Sequence, residues 1–119
     1  MEDNRNKIEL MRPAITITII AVIMMLIASA ISWRKLPNDV RVPVHWNIAG
    51  KADRYGSKFQ GLMLMPLFTI FLAVCMVVVP LIDPHYRHIK SSMKAYNIIL
   101  SAIALLMTFL HFLILMATF

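Results

Sequence analysis

Three apolar stretches free of Lys, Arg, Asp and Glu, residues 13–33, 61–82 and 97–119, constrain this chain more than any other feature. Each is about 20 residues long, and a helix rising ~1.5 Å per residue needs about that length to cross a ~30 Å hydrocarbon core. Lipid offers no hydrogen-bond partner to the backbone, so only helices and closed barrels can span it. Strand-like alternation does not recur along the chain, which excludes the barrel. The sequence therefore predicts an all-α membrane protein: about three transmembrane helices in a left-handed bundle, with a short extended or hairpin-like segment in the first loop. Residues 1–119 read as one membrane domain. It divides into a polar tail (1–12), a first span (13–33), an ordered loop (34–60), a second span (61–82), an interfacial helix start (84–96) and a third span (97–119).

Composition agrees. The hydrophobic fraction is 60%, above the roughly 45–50% of soluble domains. The net charge of +6 comes from cations placed between the apolar blocks. That placement fits anionic headgroups and topology control rather than nucleic acid. Cys75 is the single cysteine, so an intrachain disulfide or a Cys-rich metal site is excluded, and a small buried filler is expected there. The first apolar stretch is longer than the 7–15-residue core of a cleaved signal and reads as an uncleaved span.

The element ends carry their own signals. Pro13 suits a first helical turn, and Trp33 suits the headgroup level. Ser57-Lys58-Phe59-Gln60 reads as a capping box, so the second helix begins before its apolar part. Asp83-Pro84 reads as a further helix start, with the third helix running on from Pro84. Pro66 falls near the start of the second span, and Pro80 ends or bends it. Each span carries a stripe at spacings of four and three. These are Ala14, Thr18, Ala21, Met25, Ala28 and Ser32; Pro66, Thr69, Ala73, Met76 and Pro80; and Asn97, Ser101, Ala104, Thr108 and His111. Small residues let helix backbones approach closely in lipid. Charge does not orient the chain: three cations in the tail and three in the second loop balance six in the first loop.

In the first loop, Val40, Val42, Val44 and Trp46 alternate with Arg41, Pro43, His45 and Asn47, a period of two with one apolar face. Asn47-Ile48-Ala49-Gly50 reads as a turn, after which residues 51–55 can pair back as a hairpin. A catalytic reading makes His45 a base oriented by Asp53, with Lys58 stabilising an anion. It lacks a nucleophile, so no enzyme activity and no cofactor are expected. A bland reading pairs Asp53 with Arg or Lys in a solvated loop. Between them lies a ligand-binding face formed by His45, Trp46, Asn47, Gly50, Asp53 and Lys58.

Leu36-Pro37, Val42-Pro43-Val44-His45-Trp46-Asn47, Gly50, Asp53 and Lys58 together resemble the loop signature of the SdpI-like family. Its members resemble the immunity protein that protects bacteria from their own sporulation-delaying peptide toxin. Pro80-Leu81-Ile82-Asp83-Pro84 is similar to the family's element after the second span, and His111 falls where its third span often has a histidine. The resemblance covers about residues 33–111 and departs in span number, since such proteins commonly have about six. It implies a multi-pass protein of the bacterial cell membrane, with the N-terminus inside and the first loop outside, that binds a peptide toxin at the membrane face. It also implies a signalling alternative, recruitment of a cytoplasmic repressor, for which the surface here is Arg87, Lys90 and Lys94. A subunit of a membrane enzyme or transporter using His45, Asp53 and His111 is a further alternative, and self-association into a homo-oligomer stays open.

Two other histidine groups stand out. His85 and His88 share a helical face near Asp83, a spacing that can hold a metal, but two ligands are too few alone. His111 falls near mid-membrane, where an ionisable side chain is a functional candidate by default. Asn97, Ser101 and Thr108 share its stripe, and a hydrogen bond within the bundle is available to it.

Overall fold

The computed structural model describes residues 2–83 and 91–119. Three long helices carry the fold: α1 (Glu2–Lys35), α2 (Lys58–Ile82) and α3 (Met93–Thr118). Between α1 and α2 stands an antiparallel hairpin of β1 (Val42–Trp46) and β2 (Ala52–Gly56). All three helices are long and apolar enough to cross a membrane. The chain is a multi-pass membrane protein by this measure, and the hairpin belongs to the connection between its first two spans.

Helix α1 begins at Glu2, so the polar tail is helical and continuous with the span. Its 34 residues give a rod roughly 50 Å long at 1.5 Å per residue, matching the 50 Å long axis of the molecule. Pro13 lies inside this helix rather than in its first turn. The turns before it are held by Lys7–Asp3 (3.2 Å) and Arg12–Glu9 (3.4 Å) pairs. They are also held by packing, because Met11 is fully buried against Met93, beside Ile15, Val77, Leu81 and Tyr96. Tertiary contact at this end of the bundle thus carries the helix through a residue that removes one of its hydrogen bonds.

Helix α2 starts as its sequence dictates. The Ser57 hydroxyl accepts from the Gln60 N–H, and the Gln60 side chain accepts from the Ser57 N–H, which closes a capping box. Helix α2 runs through Pro66 and Pro80 and ends at Ile82. Helix α3 does not run on from Pro84: Ser91 and Ser92 form a turn, and the helix begins at Met93. The expected helix start at residues 84–90 lies outside the described residues.

The inward stripes are largely those expected. Ala14, Thr18, Ala21, Met25 and Ser32 are buried in α1. Ser29 replaces Ala28 in that row, because the step after Met25 is four rather than three. Pro66, Thr69 and Pro80 are buried in α2, and Ala104 and His111 in α3. The exposed positions are large and apolar, among them Ile19, Ile23, Phe68, Phe71, Leu105 and Phe109, as a lipid-facing surface requires. Cys75 belongs to that exposed surface, not to the core. The hydroxyls of Thr18, Thr69 and Thr108 return to the carbonyls four residues earlier (2.8 Å each), so they leave no polar group unsatisfied in lipid.

Candidate functional site: a hairpin docked on the helix ends

The hairpin is built by its alternation. Val42 is fully buried and Val44 and Trp46 are half-buried toward the helices, while His45 is exposed; Pro43 departs from the expected alternation and is buried as well, where the strand register shifts before His45. The five-residue connection is organised by Asn47. Its side-chain Oδ1 accepts from the N–H groups of Ala49 and Lys51 (3.0 Å each), its own N–H donates to Lys51 O (2.8 Å), and Gly50 N–H donates to Asn47 O (2.9 Å). Gly50 adopts φ +74°, a conformation open to glycine and costly for a side chain. Asn47 and Gly50 therefore shape the turn.

Two features fasten the hairpin to the bundle. The first is contact between Val42 and Gly61, where an added Cβ would lie 2.2 Å from Val42 Cγ1. Only glycine lets β1 rest on the first turns of α2. The second is Lys58, whose side chain is almost fully buried. Its ammonium donates to Leu36 O (2.8 Å) and Asn38 Oδ1 (3.4 Å), and it stands 4.7 Å from the centre of the Trp33 ring. A buried cation needs such partners. Lys58 thus ties the exit of α1 to the entry of α2 and is not brought to the exposed face with His45.

On that exposed face, His45 Nδ1–H donates to Asp53 Oδ1 at 2.5 Å. Asp53 is paired with histidine rather than with Arg or Lys, and His45 and Asp53 are joined across the two strands. The bond places the proton on Nδ1 of a half-exposed ring. The dyad orients an imidazole on a hairpin, and it does not by itself form a metal site. Nor do three His, Cys, Asp or Glu side chains of the described residues converge on a possible metal position. His85, His88, Arg87 and Lys90 lie outside the described residues. Lys94 is exposed in the first turn of α3.

Within the bundle, His111 is fully buried and its ring Nε2 lies 2.9 Å from Ser29 Oγ. Ser29 Oγ lies 2.6 Å from Leu62 O. A carbonyl can only accept, so the single Ser29 hydrogen goes to Leu62 and His111 donates through Nε2–H. One relay thus joins all three helices: α3 to α1 to α2. The His111 Nδ1 has no hydrogen-bond partner among the described residues. Thr108 shares the His111 face but bonds to Ala104 O, and Ser101 is half-buried on it. Asn97 stands apart, its Nδ2 donating to Leu10 O (2.8 Å) and tying α3 to the polar end of α1. Sequence reasoning missed Ser29 and Leu62. Ser29 was legible as the i+4 neighbour of Met25, whereas a backbone carbonyl carries no sequence signal.

Residues 19–70 match the family model described as Domain of unknown function (DUF1648). The match runs from the middle of α1 through the hairpin into α2 and covers less than half of the chain. It includes Ser29, the hairpin, the Lys58 tie and Leu62, and it stops before His111. No curated protein and no solved structure matches the chain.

Proposed function

We propose that this protein is a bacterial membrane immunity protein that binds a secreted peptide toxin at the hairpin face. The observation that carries the reading is the exposed His45–Asp53 pair, held on a hairpin that Val42 and Lys58 fix to the helix ends. The likeness of the loop to the SdpI-like signature supports it. A toxin that inserts into lipid must first cross the interface where such a hairpin stands. A preorganised face can bind it there, because the ordering cost of the face is already met by folding. The hairpin offers the toxin the half-exposed imidazole of His45 and the strand edge of β2, where Asp53, Arg54 and Tyr55 are exposed. Bound there, the peptide is kept from assembling in the bilayer.

Photo-crosslinking from position 54 in cells challenged with the toxin tests this directly. A toxin–protein adduct is expected, with protection lost in the double variant His45→Ala/Asp53→Ala while the protein still reaches the membrane. Full protection by that double variant would refute the reading. Both substitutions lie on the exposed face and leave the Val42 and Lys58 attachments in place, so loss of protection with normal membrane levels reports on binding.

A further inference from the structure

We propose that the outer face of the hairpin grips a carboxylate of an extended peptide through the Arg54 guanidinium; the proposal deepens the toxin reading and rests on it for the identity of the peptide. A bulge makes the site. Trp46 pairs with Ala52 and His45 with Arg54, so the strand register steps over Asp53. A bulge sets two residues of one strand against one of the other, and here Asp53 and Arg54 both stand against His45. The Asp53 carboxylate is taken by His45 at 2.5 Å. Arg54 is exposed, and among the described residues its guanidinium makes no ion pair or side-chain hydrogen bond, with Asp53 or any other group.

Charge selects an anion. Residues 34–58 carry six cations against Asp39 and Asp53. Lys58 is engaged in its buried tie and Arg41 donates to Tyr55 O. Arg54 keeps a planar fork of donors that matches a carboxylate in bidentate fashion. Lys51, also exposed, adds positive charge at the turn end of β2. Position selects a peptide. Successive side chains of a strand point to opposite faces. Val44 and Trp46 turn toward the helices, so His45 and its partner Arg54 turn away from the bundle and the lipid around it. The sheet has two strands, so the outer edge of β2 has no strand partner, and an extended chain can add there. A residue of that chain directly opposite Arg54 has its Cβ about 5 Å from the Cβ of Arg54 and on the same face. A glutamate or aspartate at that position meets the guanidinium.

The probe is an end-blocked peptide of alternating threonine and valine whose only charge is one central glutamate; its counterpart has glutamine there. Both carry an uncharged fluorophore, and binding to the full-length protein in phosphatidylcholine nanodiscs is read by fluorescence polarisation. The glutamate peptide should bind about fivefold more tightly, the size of an exposed, well-oriented ion pair. Arg54→Gln should abolish that preference. Lys35→Gln, the same loss of charge at the exposed end of α1, should leave it intact. Equal binding of the two peptides, binding of neither, or a preference that survives Arg54→Gln overturns the proposal. So does loss of the preference in Lys35→Gln, which would make it a matter of net charge, or its loss when phosphatidylglycerol is added to the discs, which would assign the guanidinium to headgroups. The toxin reading is judged apart from this. Equal peptide binding with protection lost in His45→Ala/Asp53→Ala retires the carboxylate grip and keeps the toxin reading; a fivefold preference with full protection does the reverse. A fivefold weaker grip still permits crosslinking from position 54 at saturating toxin.

Discussion

Among the described residues, His111, Ser29 and Leu62 form a hydrogen-bond relay that touches all three helices, and its two side chains have distinct expected costs. Ser29→Ala removes both bonds at once. Hydrogen bonds between helices in lipid contribute about 0.6 kcal/mol on average and up to about 1.7, so about 1 kcal/mol of destabilisation is expected in reversible unfolding in detergent micelles. His111→Ala also empties a fully buried position and should cost about 2 kcal/mol or more. Phe112→Ala, at a half-buried neighbour, should cost less. If the alanine variants at 111 and 112 lose equal stability and equal protection, His111 has no special role. Lys58 makes a separate case. Lys58→Met keeps the aliphatic stem and removes the donors, and it should free the Leu36–Asn38 corner without unfolding the spans. Faster amide exchange in residues 42–56, with unchanged helix content by circular dichroism, is the expected outcome.

The elements differ in how far their sequences announce them. The capping box at Ser57 and Gln60 sets the start of α2 by purely local chemistry, and the alternation of Val42, Val44 and Trp46 sets the buried face of β1 in the same way. Where tertiary contact decided, local signals pointed elsewhere. Pro13 reads as a first-turn residue, yet packing of Met11 on Met93 carries α1 back to Glu2. Cys75 reads as core filler, yet it lies on a face that meets lipid, where apolarity says nothing about burial. Lys58 reads as a ligand contact, because no local pattern reveals that Leu36 O, Asn38 and Trp33 converge on it. The Gly61–Val42 contact was likewise invisible in either segment alone. It yields a sharp expectation: Gly61→Ala places a methyl inside Val42 and should cost about 1–3 kcal/mol, or else lift the hairpin from α2. Unfolding midpoints and exchange in β1 separate these results, and no change in either would mean that the hairpin does not rest on α2.

At the scale of the whole molecule, three lipid-spanning helices carry one ordered platform. The hairpin connects α1 to α2, so it must emerge on the membrane face opposite the turn that precedes α3. The cation count leaves the direction open, but the opposition of the two segments follows from the number of spans alone. Two single-cysteine proteins test it, each in a Cys75→Ala background: Ile48→Cys at the fully exposed hairpin tip, and Ser92→Cys, whose side chain makes no cap bond. A membrane-impermeant maleimide applied to intact cells should label one of the two and reach the other only after permeabilisation, and the immunity reading requires that position 48 be the one labelled from outside. Labelling of both positions, or of neither, in intact cells would contradict the three-span architecture on which the account rests.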